Sequence, residues 1–323
     1  MASLFDPVRI GDLDLPNRVA MAPMTRSRAG AGDVPTAMNA VYYAQRAEAG
    51  LIISEATNVS PNSCAFEKAP GIYSPAQTAG WRVVADAVHK AGGRIFLQLW
   101  HCGRVGAAGI LGGQPPLSPS GVNDDLEALQ VWAELGNGRY VRIAATRSRA
   151  MTLEEVRSTV QEYRTGAVHA WAAGCDGVEV HAANGYLPQQ FLSPTVNRRE
   201  DAYGGTLANR ARFLREVVEA IGEVVPMSRV GVRISPLAGY NNARDPDPAE
   251  TYGYVASMLQ ELGVAYVHIA DTDAWVGRPD LPHLLEIVRS HFRQALIANG
   301  GLLPSQAAAL VNEGSVQMVG FGR

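Results

Sequence analysis

Short apolar runs alternate with longer amphipathic segments from one end of the chain to the other. The strand-like runs are Arg18–Met24, Gly50–Ala56, Arg94–Leu99, Gly177–His181, Val230–Ser235, Tyr266–Ala270, Ala295–Asn299 and Val316–Phe321, eight in all. Between them, apolar positions recur at helical spacing near 36–49, 78–91, 152–173, 206–224, 249–262, 281–292 and 304–312. Strand, helix, strand repeated in this way implies parallel pairing through right-handed crossovers. Eight repeats predict an α/β fold closed as a (β/α)8 TIM barrel rather than an open sheet. The length of 323 residues fits one such barrel, so 1–323 is read as a single domain. After Phe321 only Gly322 and Arg323 remain. The eighth helix is therefore absent, and a native chain is expected to continue.

Thr152-Leu-Glu-Glu155 predicts a capping box at a helix start, and Thr206 and Pro304-Ser305 give weaker start signals. The stretch from His101 to Ala150 is different, being rich in Gly and Pro with little periodicity. Long loops inside compact domains are usually functional. Following the third strand of a barrel, this one is predicted to lie over the reacting face.

Strand alternation then sorts side chains into inside and outside. Ile95, Leu97 and Leu99 share one side of the third run, with Phe96, Gln98 and Trp100 opposite; Val230, Val232 and Ile234 oppose Gly231, Arg233 and Ser235 in the fifth. The aliphatic sides belong under the helices, so Gln98 and Arg233 point into the barrel. A buried arginine needs a partner, either an anionic or polar ligand or a structural salt bridge. The fourth run continues through His181, Asn184 and Tyr186. An i, i+3 spacing in one helical turn places His181 beside Asn184. Two such donors suit a carbonyl, nitro or phenolate oxygen, and a phenol can serve as a general acid. Either residue type alone is more often structural. The last two runs end in glycines, at Gly300-Gly301 and Gly322-Arg323. Backbone N–H groups there, with an arginine, point to a phosphate after strands seven and eight.

Composition changes this picture little. A formal net charge of -3 provides no basic patch for nucleic acid. Cys64, Cys102 and Cys175 are too scattered for a disulfide framework or a zinc site, and no metal is expected. Neither a signal peptide nor an apolar stretch of membrane-spanning length is visible, which predicts a cytoplasmic protein without membrane contact. No GxGxxG follows the first run, so a nicotinamide cofactor would visit the same face as the substrate.

The segments LFDPVRIGDLDLPNRVAMAPMTR, YYAQRAEAGLIISEAT, GGRIFLQLWHCGR, DGVEVHAANGYLPQQFLSPTVNRREDAYGG, NRARF, VGVRISP, LIANGG and GFGR together resemble the Old Yellow Enzyme family of FMN-dependent ene-reductases. The resemblance covers nearly the whole chain and is most specific from Asp176 to Gly205. It implies that Ala22, Pro23, Met24 and Thr25 hold the flavin beside its ring, Thr25 placing the chain in the main group of the family. It implies further that the backbone of Ala56 faces the central ring nitrogen, that Gln98 and Arg233 meet the pyrimidine end, and that Gly300, Gly301, Gly322 and Arg323 bind the phosphate. His181 and Asn184 match the substrate-oxygen pair and Tyr186 the proton donor, with Phe66 and Trp100 as further substrate contacts.

The implied reaction is a ping-pong reduction of enones, enals, maleimides or nitroalkenes by NADPH or NADH through bound FMN. Phe66 stands near where many members carry tyrosine, and 121–150 matches the family poorly. The competing readings are an FMN barrel running in the oxidative direction, a flavin-free phosphate-binding barrel, and a non-catalytic binding barrel. The first usually brings additional domains and iron–sulfur cysteines, which are not present, and the second a lysine or paired carboxylates at strand ends; none of the eight runs ends in lysine.

Overall fold

The computed structural model describes residues 2–237, 239–271 and 280–322. Eight parallel strands close on themselves: β1 (Val19–Met21), β2 (Leu51–Ile53), β3 (Ile95–Trp100), β4 (Gly177–Ala182), β5 (Val230–Ile234), β6 (Tyr266–Ala270), β7 (Ala295–Asn299) and β8 (Met318–Phe321). Closure is made where Val319–Phe321 of β8 pair with Val19–Met21 of β1. The first two strands are shorter than the apolar runs containing them. Past Ile53 a further two-residue strand, Thr57–Asn58, pairs in parallel with Leu99 and Trp100 of β3.

The surrounding helices are α1 (Ala37–Ala44), α2 (Pro75–Lys90), α3 (Leu153–Ala172), α5 (Leu207–Gly222), α6 (Pro248–Leu262), α7 (Leu281–Arg289) and α8 (Pro304–Asn312). A short α4 (Leu187–Leu192) sits above β4. At the start of α3, Thr152 Oγ1 accepts from Glu155 N at 3.1 Å while Glu155 Oε2 accepts from Thr152 N at 2.9 Å. Ser74 and Gln77 form an equivalent box at α2, and Thr206 caps α5. Among the described residues no helix is long and apolar enough to cross a membrane.

Alternation places the core in two shells. Leu97, Leu99, Val178, Val180, Val230, Val232 and Ile234 face outward and pack beneath the helices. Inside the barrel, Leu51, Ile53, Phe96, Ile297 and Met318 fill the lower half. An antiparallel hairpin, Val8–Ile10 with Leu13–Leu15, plugs that end with Ile10, Leu13 and Leu15. The long segment after β3 is less irregular than its composition suggests. It contains a second hairpin, Val131–Glu134 with Tyr140–Ile143, folded back over the mouth of the barrel.

Candidate active site

A cavity of ≈ 540 Å³ opens at the C-terminal ends of the strands, within the range of small-molecule and cofactor sites. Ala22, Pro23, Met24 and Thr25 after β1, with Ala56 after β2, form one wall. That wall is pinned from behind by Glu55, whose Oε2 accepts from the backbone N–H of Arg26 at 2.7 Å and of Ser27 at 3.1 Å. Burial raises the Glu55 pKa, against the opposing pull of these two bonds.

Gln98 on β3 and Arg233 on β5 rise from the barrel interior into the cavity, as their strand parity requires. Arg233 Nη2 donates to Asn299 Oδ1 at 2.8 Å, and Asn299 Nδ2 donates in turn to the Gly320 carbonyl at 3.0 Å. Among the described residues no carboxylate lies within ion-pair distance of Arg233, and its buried Nε has no hydrogen-bond partner. A fully desolvated guanidinium with an unmatched donor is costly. Of the two partners considered for it, a polar or anionic ligand in the cavity fits and a close salt bridge does not.

His181, Asn184 and Tyr186 border the same cavity, but a helical turn is not what gathers them. Asn184 and Gly185 have φ of 60° and 74°, and the Tyr186 N–H donates to the Ala183 carbonyl at 3.2 Å. Positive φ at both central residues is the pattern of a type I′ turn, which favours the Asn-Gly pair found here. A Cβ on Gly185 would also lie 2.6 Å from both Asn241 Cβ and the Tyr240 carbonyl. The turn is braced by Ser235 Oγ, which accepts from Asn184 N, and by Asn241 Nδ2, which donates to the Asn184 carbonyl.

Burial fixes the protonation of His181 and Tyr186. Burial, reinforced by the charge of Arg233, holds His181 well below its usual pKa, so the imidazole is neutral. The Ala183 N–H donates to its Nδ1 at 3.4 Å, which places the ring proton on Nε2. Burial pushes the Tyr186 phenol well above its usual range, so it retains its proton. Its ring packs edge-on against His181 and Trp100, with centroids at 4.9 and 5.1 Å.

Gly301 and Gly322 line the far end of the cavity together with Gly320 and Phe321. Gly300 does not border it; a Cβ there would fall 2.6 Å from Asp271 Cβ. Arg323 lies outside the described residues. Phe66 borders the mouth, whereas Trp100 is fully buried, covered by Phe66 and Tyr186, and does not border the cavity. Arg26, Trp132, Tyr240, Asn299 and Leu302 also line it and were not singled out from the sequence. For Asn299 the strand parity was available as a signal; Trp132 comes from the hairpin strand Val131–Glu134, whose alternation the surrounding glycines and prolines obscure, and Tyr240 from a loop, where no periodicity marks direction.

Among the described residues no group of His, Cys, Asp and Glu side chains could hold a metal ion.

Morphinone reductase superposes with a TM-score of 0.94 at 42% identity, over 99% of this chain and 86% of that one. An Old Yellow Enzyme homologue from Zymomonas mobilis gives 0.92 at 38% identity, over 100% of this chain and 89% of that one. In sequence, 12-oxophytodienoate reductase 1 from Oryza sativa subsp. japonica is 36% identical over 99% of this chain and 82% of its own length. Flavin oxidoreductase hxnT from Emericella nidulans is 38% identical over 99% of this chain and 87% of its own. The profile described as the NADH:flavin oxidoreductase / NADH oxidase family matches residues 3–323, and the chain belongs to that family.

Proposed function

We propose that this barrel, residues 1–323, reduces electron-poor carbon–carbon double bonds with NADPH or NADH as donor and FMN as resident cofactor. The substrates are small enones, enals, maleimides or nitroalkenes, and the setting is the cytoplasm, where three buried free cysteines persist as thiols. The observation that carries the reading is the neutral His181, the Asn184 turn and the protonated Tyr186 on one side of a cavity whose floor holds Arg233 and Gln98.

The donor set fits FMN. The unmatched guanidinium of Arg233 and the carboxamide of Gln98 suit the polar pyrimidine edge of the ring. Residues Ala22 to Thr25 and Ala56 would hold the ring edge through their backbone. Gly301 and Gly322, with Arg323 and the adjoining Gly300, would take the phosphate. When bound, FMN would supply the hydride chemistry, taking reducing equivalents from the nicotinamide for delivery to the β-carbon of the alkene.

The remaining work belongs to the chain. His181 donates from Nε2 to the substrate oxygen, and Asn184 shares that contact. Both strengthen as negative charge develops on the oxygen. Tyr186 gives its phenolic proton to the α-carbon from the same wall. Phe66, Trp132 and Tyr240 surround the mouth with aromatic surface, which keeps water from the reacting carbons.

A visible spectrum of the purified protein tests this, followed by anaerobic NADPH and then cyclohexenone. The expected result is a flavin band that bleaches with NADPH and returns with the enone. A colourless protein that refuses added FMN defeats the reading, and a band that returns only with oxygen removes the alkene.

A further inference from the structure

One carboxylate in the upper half of the barrel has no part in the reaction as described. Glu179 is fully buried on β4, two residues before His181 and therefore on the same inner face. Its oxygens accept from Gln98 Nε2 at 2.7 Å, His268 Nδ1 at 2.9 Å and the Tyr266 hydroxyl at 3.1 Å. The third bond depends on a glycine. Along the ladder Glu179 pairs with Gly231 and Gly231 with Tyr266, and a Cβ on Gly231 would sit 2.1 Å from the tyrosine ring. Without that Cβ, the ring crosses β5 and reaches the acid.

This arrangement has two chemical effects. Because a carboxylate only accepts, Gln98 must turn its NH₂ toward Glu179, which leaves its carbonyl oxygen for the cavity it borders. Second, Glu179 is the acid whose field reaches the otherwise unpaired Arg233. Burial raises the Glu179 pKa, but His268, Arg233 and Gln98 outweigh it and hold the pKa below the usual range.

We propose that Glu179 is a positioning residue of the flavin site. It fixes which end of Gln98 meets the ring, and its charge offsets Arg233 and so sets the potential at which bound flavin is reduced. The proposal rests on the flavin reading above.

Two substitutions separate reach from charge. Glu179→Asp keeps the charge and withdraws it from Gln98. FMN titrated into that apoprotein, followed by quenching of flavin fluorescence, should bind about tenfold more weakly, as expected for one charge-assisted hydrogen bond. Its flavin potential should stay at the wild-type value. Glu179→Gln keeps an acceptor oxygen and removes the charge. Its flavin potential, measured by dye equilibration, should rise, because an unopposed Arg233 favours the more negative reduced ring. A wild-type potential in folded Glu179→Gln overturns the charge role, and wild-type FMN affinity in Glu179→Asp overturns the positioning role. If Glu179→Gln does not fold, Glu179→Asp decides alone: weaker binding at unchanged potential supports the proposal, and any other pattern rejects it. Failure of the wild-type protein to take up FMN would instead remove the flavin reading, and this one with it.

Discussion

The lower and upper halves of the barrel interior are built from the same strands and hold opposite kinds of side chain. Below, Leu51, Ile53, Phe96, Ile297 and Met318 pack against the plug residues Ile10, Leu13 and Leu15. Above, the inner positions are Gln98, Glu179, His181, Arg233 and His268, each nearly or fully buried. On β3 the change occurs between Phe96 and Gln98, one pleat repeat or about 7 Å apart. The lower half gains from every apolar atom it removes from water. The upper half desolvates charge and recovers the loss through hydrogen bonds and opposed charges, most of them reaching across an intervening strand. Stability and chemistry are thus stacked along the barrel axis, and substitutions in the two halves should have separable effects.

The largest expected effect is in the upper half. Tyr186→Phe should retain flavin and slow alkene reduction about 10²–10⁴-fold, the usual contribution of a general acid, while flavin reduction by NADPH is nearly unchanged. Stopped-flow measurement of the two half-reactions checks this, and equal losses in both would remove Tyr186 as the proton donor.

In the lower half, Phe96→Ala should cost about 3–5 kcal/mol of stability, typical of a large cavity. Denaturant unfolding gives the number. Retention of bound flavin in the folded variant would show that the halves are independent, and its loss would break the comparison.

A smaller effect is expected for His181→Ala. Phenols should bind about tenfold or more weakly, as for loss of one hydrogen bond to a charged oxygen, seen as weaker long-wavelength charge-transfer absorbance. An unchanged phenol titration would count against the oxygen-binding role.

The mildest test is pH. His101 is fully buried at the top of β3, and burial lowers its pKa from 6.5 to about 3. The unfolded chain therefore binds a proton that the folded one refuses between those values. This contribution to stability is fully present above pH 6.5 and is lost as pH falls toward 3, at up to about 1.4 kcal/mol per pH unit. His181 is shifted in the same direction. Replacing His101 with Gln should flatten the dependence of the unfolding midpoint on pH, and an unaltered slope would show that other groups control it.

Much of this architecture is legible in the sequence, for identifiable reasons. The runs Tyr266–Ala270 and Ala295–Asn299 coincide with β6 and β7, and the Thr152 box starts α3 where its spacing requires. Alternation also places Gln98 and Arg233 correctly, because an interior strand leaves two choices of face. What alternation cannot supply is depth. Trp100 shares parity with Gln98, but Phe66 and Tyr186 cover it, and both approach from other segments. Helical spacing misdescribes His181 and Asn184, although the Asn-Gly pair that makes their turn stands in the sequence. Asn137-Gly138 likewise marks the turn of the hairpin over the mouth, within a segment whose glycines and prolines obscure its alternation. Glu179 has the same parity as His181; its importance becomes visible only once Gly231 and Tyr266 are seen beside it.

The turn at Asn184-Gly185 also bears on how such a site could be moved to another barrel. His181, Asn184 and Tyr186 arrive on six consecutive residues, which invites treating them as a portable cassette. The missing Cβ of Gly185 argues otherwise, since the space it leaves is filled by Tyr240 and Asn241 from the loop after β5. Asn241 also bonds the Asn184 carbonyl, so the transferable unit is two loops from adjacent strands rather than one. A graft of residues 181–186 alone would carry the reactive groups and leave behind the wedge that aims them.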